Sequence, residues 1–345
     1  MITLLSPANG AEISVLTNEQ RRFIKEFRDG LPKGPVSFIS GESSWPAAVL
    51  FRWKTSEDVP VPQKLEVSES EDFEPCRYVN LTRVSQSQDG EFFSAGRNFM
   101  TGKRYFWRVT SGGVVSETRS FTTAPDPIRP IAADFSPNFR DLGGKITPDG
   151  RRIRQGLLYR GTYPEPDCFE DVDNQGLTDR GRDTFIKELG IRSQIDLRHE
   201  AEGRYEKSPV GDEVRYVQVS FDAPFGGTFN DRGLGQMKKA FEVLFDESAY
   251  PVYYHCHTGA DRTGFLSIVI GGILGFSDSD LMLDYNFTTF HEYRNWRECY
   301  DLKDYFAYLR ECFGEHSLSE LVMLHLTNWG IPEEKLLKMR EFLSE

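Results

Sequence analysis

The sequence predicts two domains: an all-β sandwich over residues 1–125, and an α/β domain over 126–345 with a central, mostly parallel sheet flanked by helices. Three observations carry this expectation. The N-terminal part breaks into short apolar or alternating runs separated by Gly-rich turns. From residue 131 onward, strand-like and helix-like patterns alternate. Between them stands Ala124-Pro-Asp-Pro-Ile-Arg-Pro130, a proline-dense segment that signals a stiff, extended linker. A length of 345 residues suits two domains.

Each element has its own signal. Ala48–Lys54 is an apolar run that turns to alternation, Lys64–Ser68 alternates cleanly, and Tyr105–Thr110 is aromatic and β-branched. Thr118–Thr123 follows the turn residues Ser111-Gly112-Gly113. All four read as strands. Glu19–Phe27 has helical spacing, a departure from a plain sandwich. The segments Leu50–Trp53, Lys64–Phe73, Gly102-Lys-Arg-Tyr-Phe-Trp-Arg-Val and Arg119-Ser-Phe-Thr-Thr together resemble fibronectin type III modules. That resemblance implies a binding or spacing role, with a protein or glycan as partner.

In the second domain, Ile191–Leu197, Val214–Val219 and Pro251–His255 read as strands. Gln236–Phe245, Asp301–Cys312 and Glu333–Leu343 have helical spacing. Phe265–Leu274 is apolar nearly all round, as a buried helix would be.

Composition excludes several classes. The net charge is −12, and residues 1–125 hold equal numbers of acidic and basic side chains, so all of it falls on 126–345. An acidic balance argues against nucleic acid as a partner. The longest apolar stretch, Phe265–Phe276, is far short of a membrane span. Cys76, Cys168, Cys256, Cys299 and Cys312 are odd in number and contain no C-x-x-C pair, which argues against a disulfide framework. Only His255, Cys256 and His257 cluster, and adjacent residues rarely converge on one metal, so no metal is expected. The start, Met1-Ile-Thr-Leu-Leu-Ser-Pro, lacks the pattern of a secretory signal. The expectation is a cytoplasmic location, or export if a signal has been trimmed.

The chemistry lies in His255-Cys256-His257-Thr258-Gly259-Ala260-Asp261-Arg262-Thr263-Gly264, between a strand and a buried helix. Cys256 and Arg262 fit C-x5-R. A loop of this length can curl so that its N–H groups point inward, and with the helix N-terminus it makes an anion site. Gly259 lets the backbone turn, and the planar fork of Arg262 suits two phosphate oxygens. The same groups should lower the Cys256 thiol pKa, and a thiolate beneath a bound phosphate is placed for in-line attack.

This loop resembles the signature of cysteine-dependent protein tyrosine phosphatases. With Asn138-Phe-Arg-Asp-Leu-Gly-Gly144 and Gly190-Ile-Arg-Ser-Gln-Ile-Asp-Leu-Arg198, it resembles the bacterial tyrosine and dual-specificity branch. The resemblance spans about residues 131–345. It implies hydrolysis of phosphate monoesters through a phosphocysteine, with no metal and no organic cofactor. By the resemblance, Cys256 is the nucleophile and Arg262 binds phosphate and stabilises the transition state. Residues 257–262 (His257, Thr258, Gly259, Ala260, Asp261, Arg262) supply loop amides, Thr263 steadies the departing thiolate, and His255 braces the loop. Two carboxylates stand as general acid: Asp261 beside the arginine, which is preferred, and Asp222 in Ser220-Phe-Asp-Ala-Pro224. Arg140 and Asp141 read as a buried pair that fixes the start of the domain. Arg198 either faces the site or forms a structural ion pair.

The substrate expected is a phosphotyrosine protein or peptide. Some relatives active on phosphoinositides carry lysine where this chain has Ala260, and the missing cation tilts the choice toward phosphotyrosine. A phosphoinositide or other small phosphate ester is the second reading. A phosphate-binding module without turnover is the third, and the loop is longer than that of a rhodanese-type sulfurtransferase.

Overall fold

The computed structural model describes residues 1–30, 44–59, 62–74, 81–134, 136–164, 177–202, 206–220, 231–291 and 300–345; for 231–234 and 300–301 it describes the backbone alone. The chain forms two compact units. One is Met1–Thr17 with Pro46–Arg129; the other is Asn18–Trp45 with Pro130–Glu345.

The first unit contains two sheets. One runs in the order Ile2–Ser6, Val49–Thr55, Phe92–Gly96, Ser85–Gln86, with every pairing antiparallel. The other runs Ala11–Ile13, Arg119–Thr123, Arg104–Ser111, Lys64–Ser68. Strict alternation explains the core. In Arg104–Ser111 every second residue is buried, which sends Tyr105, Trp107 and Val109 inward. There they meet Phe51, Trp53 and Phe121 in one apolar cluster. The proline-dense segment is not a free linker. Asp126 accepts hydrogen bonds from the Ser14 hydroxyl and the Val15 N–H at 2.8 and 3.0 Å, and buried Arg129 donates to the carbonyls of Phe99 and Asn98. Backbone groups buried in this way must find partners, and these contacts provide them.

The second unit is an α/β layer. Leu158–Gly161, Val252–His255, Ser193–Asp196 and Arg215–Gln218 lie side by side and parallel, and Arg140–Asp141 pairs antiparallel with Leu158–Gly161. Arg129–Pro130, where the chain passes from one unit to the other, takes the edge. Val252–His255 is central and wholly buried, as a strand covered on both faces must be. It feeds the helix Asp261–Leu274, buried from Thr263 to its end. Helices Asp278–Phe287, Leu318–Asn328 and Glu333–Phe342 pack around it.

The helix expected near Glu19–Phe27 spans Asn18–Arg28 and belongs to this second unit, although its sequence position lies within the first. Phe23 seats it edge-on against Phe287 and Phe290, at centroid distances of 6.3 and 5.2 Å, and Arg28 pairs with Asp280 at 3.6 Å. Among the described residues no helix is long and apolar enough to cross a membrane. Of the cysteines, Cys256 is buried and Cys312 exposed, both as free thiols; Cys76, Cys168 and Cys299 lie outside the described residues.

Candidate active site

The C-x5-R loop joins the end of Val252–His255 to the start of Asp261–Leu274. Gly259 holds φ at +66°, and a Cβ there would lie 2.4 Å from the Gly161 carbonyl oxygen. Both the dihedral and the close approach require glycine.

Every carbonyl from 256 to 260 is tied. The Cys256 carbonyl accepts from His255 Nδ1 at 3.1 Å, and the His257 carbonyl from the Tyr163 N–H at 3.3 Å. Asn138 Nδ2 donates to the carbonyls of Thr258 and Gly259, both at 3.1 Å. Arg160 Nη2 reaches the Gly259 carbonyl at 2.6 Å, and the Gly264 N–H reaches that of Ala260 at 2.9 Å. In a trans peptide the C=O of one residue and the N–H of the next point in opposite directions. Five anchored carbonyls therefore turn the N–H groups of residues 257–261 to the other side of the loop.

Beneath the loop lies a buried charge cluster. Asp284 takes Arg140 Nε at 2.8 Å on one oxygen and Arg160 Nη1 at 2.6 Å on the other. Arg160 also donates to Ser267 at 2.7 Å. Burial opposes the charge on Asp284, yet the two guanidiniums hold its carboxyl far below the usual range. Burial, then the neighbouring Arg160, brings Arg140 down to about 10. Arg140 and Asp141 do not pair with each other. Neighbours on a strand point to opposite faces, so Arg140 turns to Asp284. Asp141 instead accepts from the Gly143 and Gly156 N–H groups at 2.8 and 2.6 Å. Asp284 is the shared counter-ion.

His255 lies against the loop. Its Nε2 lies 2.8 Å from Gln194 Nε2, a contact in which the amide donates, and Gln194 Oε1 accepts from Ser208. Burial holds this imidazole down to about 4, despite Asp196 at 3.8 Å. The ring is neutral near pH 7. Arg198 is an ion pair: its guanidinium holds Asp196, with Nη2 at 2.8 Å, and lies 4.2 Å from the Tyr163 ring centre. Arg198 lies in a bend two residues past the strand end at Asp196, and its backbone N–H also donates to Asp196 Oδ1 at 2.9 Å.

Arg262 meets a residue that the sequence reading passed over. Its Nη1 and Nη2 donate to the two oxygens of Glu202 at 2.5 and 2.7 Å. The Arg262 hydrogen bond is the main reason the Glu202 carboxyl falls to about 2. Burial works against charge on Arg262, but Glu202 and then Cys256 outweigh it and raise the guanidinium's affinity for its proton. Glu202 stands in Glu200–Glu202, a short helical turn after the strand Ser193–Asp196. An acid just past a strand end was the one available cue.

Asp261, half-buried in the first helical turn, accepts from the Tyr285 hydroxyl at 3.2 Å. Thr263 is fully buried, and its hydroxyl has no hydrogen-bond partner among the described residues. Ala260 is fully buried, whereas His257 is exposed beside Tyr163. Asp222 lies outside the described residues.

Residues 131–308, just over half of the chain, match the tyrosine phosphatase family. Over 182 residues the chain is 25% identical to a Cupriavidus necator protein provisionally named a tyrosine-protein phosphatase. That alignment covers 45% of this chain, and the chain spans only 61% of the length of this curated relative. Among solved structures, the core catalytic domain of the S. cerevisiae PP-IP phosphatase SIW14, in complex with citrate, is 15% identical with a TM-score of 0.35. It covers 58% of this chain and 98% of that domain. A second structure of the Siw14 catalytic core, 16% identical, gives 0.31 over 51% of this chain and 89% of its own.

Proposed function

The chain belongs to the cysteine-based tyrosine phosphatase family of hydrolases, and from that membership we propose that it hydrolyses phosphate monoesters, with phosphotyrosine in proteins or peptides as substrate. The observation that carries this reading is the anchoring of all five loop carbonyls from Cys256 to Ala260. It leaves five N–H groups and the helix start to receive the oxygens of a phosphoryl group without reorganisation during reaction.

In this reading the Cys256 sulfur attacks phosphorus, and the bond to the leaving oxygen breaks as the S–P bond forms. Asp261 gives that oxygen a proton. The Tyr285 hydroxyl donates to that carboxyl at 3.2 Å and orients it. Water, deprotonated by the same carboxylate, then attacks the phosphocysteine and releases phosphate. The unpartnered Thr263 hydroxyl supports the proposed role of steadying the departing sulfur. Asp222 remains the competing acid. Buried Ala260 offers no cation to a second phosphate, which favours phosphotyrosine over phosphoinositides. For the first unit we propose a docking role of the fibronectin type III kind.

The test is turnover of phosphotyrosine peptides beside phosphoserine and phosphoinositide substrates, by wild type and Cys256→Ser. Wild type should prefer phosphotyrosine and be blocked by vanadate, and the variant should lose turnover. Turnover that survives in the variant would sink the mechanism. A large kcat/KM advantage for lipid headgroups would move the substrate to the second reading.

A further inference from the structure

Residues 131–308 carry the family match, yet the loop is buttressed from well outside them. The buttress begins in the segment Asn18–Trp45, which joins the second unit. Its helix is seated by Phe23 on Phe287 and Phe290, by the Arg28–Asp280 pair, and by Gln20, whose side-chain amide donates to the Trp45 carbonyl at 2.9 Å. At its far end Ser44 is 3% exposed, and its Oγ accepts the Asn138 N–H at 3.1 Å. Asn138 is itself nearly fully buried, with φ at +56°, a left-handed conformation that asparagine adopts more readily than most non-glycine residues. Its side chain is fully engaged. Nδ2 anchors the carbonyls of Thr258 and Gly259, and Oδ1 accepts from Arg140 Nη1.

We propose that Ser44 is a positioning residue for the phosphate loop: it fixes the backbone of Asn138, whose amide aims the N–H groups of Gly259 and Ala260 at the phosphate. The inference rests on the proposed phosphatase reading for its kinetic consequence only; the mechanical chain from Ser44 to the loop stands on the contacts above. Removing the hydroxyl leaves a buried N–H without an acceptor, and the Asn138 backbone loses the partner that holds it. A loop displaced by a fraction of an ångström then binds the phosphoryl group poorly.

The experiment compares full-length wild type, Ser44→Ala and Ser44→Thr, below their melting temperatures, by two readouts. One is hydrogen exchange at the amides of residues 257–262. The other is kcat/KM on an aryl phosphate with the inhibition constant of vanadate. Ser44→Ala should speed exchange in the loop, lower kcat/KM by about tenfold and raise the vanadate constant by a similar factor. Ser44→Thr, which keeps the hydroxyl, should restore most of each. A Ser44→Ala protein that merely melts earlier, with wild-type exchange in the loop and wild-type vanadate affinity, overturns the proposal. So does a Ser44→Thr protein no better than Ser44→Ala. If Ser44→Ala does not fold, Phe23→Leu is measured instead. It loosens the seat of the helix, and faster loop exchange is expected while unchanged exchange refutes. Should wild type turn over no phosphate ester, the functional reading fails, and loop exchange still decides this one.

Discussion

Arg262 has five N–H donors, and Glu202 and the Leu197 carbonyl, at 3.4 Å, use both on Nη1 and one on Nη2. What remains is the Nε–H and the second Nη2 N–H, a parallel pair that matches two phosphate oxygens. On the proposed reading, Glu202 therefore decides which edge of the fork faces the substrate. Glu202→Gln should raise KM and the vanadate inhibition constant by about tenfold with a smaller effect on kcat, since one charge-assisted bond is weakened. Steady-state kinetics at fixed ionic strength will show this split, and a variant that loses kcat alone would contradict it. The choice between acids is also made here. Asp261→Asn should cost about 100-fold or more in kcat on a peptide substrate, and Asp222→Asn much less; the reverse order would transfer the role to Asp222.

At the scale of the element, the strand–loop–helix from Val252 to Leu274 was legible in the sequence because its signals are local. They are a short apolar strand, a glycine, an arginine in register and an apolar helix. Apart from His255, the contacts that support it were not legible. Asn138, Arg160 and Asp284 approach the loop from distant stretches of chain, and no spacing rule connects them. Glu202 was missed for the same reason. The Arg140–Asp141 pair was misjudged by reading adjacency as contact, where strand geometry separates the two side chains. The helix Asp278–Phe287, which supplies Asp284 and Tyr285, shows almost no amphipathic contrast because six of its ten residues are buried, the polar Asp284 and Asn286 among them. The element's dependence on these supports can be measured. Asp284→Asn leaves two buried guanidiniums sharing a neutral amide, and it should cost about 3–5 kcal/mol of stability in denaturant unfolding. Gly259→Ala should fold the rest of the unit but abolish phosphate binding, because its methyl group meets the Gly161 carbonyl; retained vanadate affinity would refute that.

The whole molecule responds to acid through several of these groups at once. His255 titrates near 4 when folded, against 6.5 in its ordinary state, because burial disfavours the imidazolium. His325, ringed by Tyr305, Tyr308, Phe313 and Trp329, is also held down to about 4 by burial. A depressed folded value means that the stabilisation is complete above pH 6.5 and is lost as pH falls through that window. For His255 the loss amounts to about 3 kcal/mol by pH 4. Below that, Asp196, Glu202 and Asp284, all depressed, extend the decline. Unfolding free energy should therefore fall between pH 6.5 and 4, and His255→Gln should flatten part of that slope. A slope unchanged in the variant would refute the assignment. Net charge acts at the same scale. The −12 belongs to residues 126–345, so on the proposed reading an acidic phosphopeptide approaches against the field of that region, and moderate salt should raise its on-rate. A marked fall in kcat/KM with salt would count against this.

The route of the chain has a consequence for how this protein can be taken apart. The backbone passes between the two units at Thr17/Asn18, Trp45/Pro46 and Arg129/Pro130. A single cut at the proline-dense segment, by protease or by gene truncation, therefore yields no clean pair of halves. It strips the C-terminal piece of its first helix and of Ser44. The N-terminal unit is thus not an interchangeable cassette: recombination that swaps residues 1–125 for another module discards part of the machinery under the loop. Only a graft that keeps Asn18–Trp45 and replaces the strands on either side would preserve it.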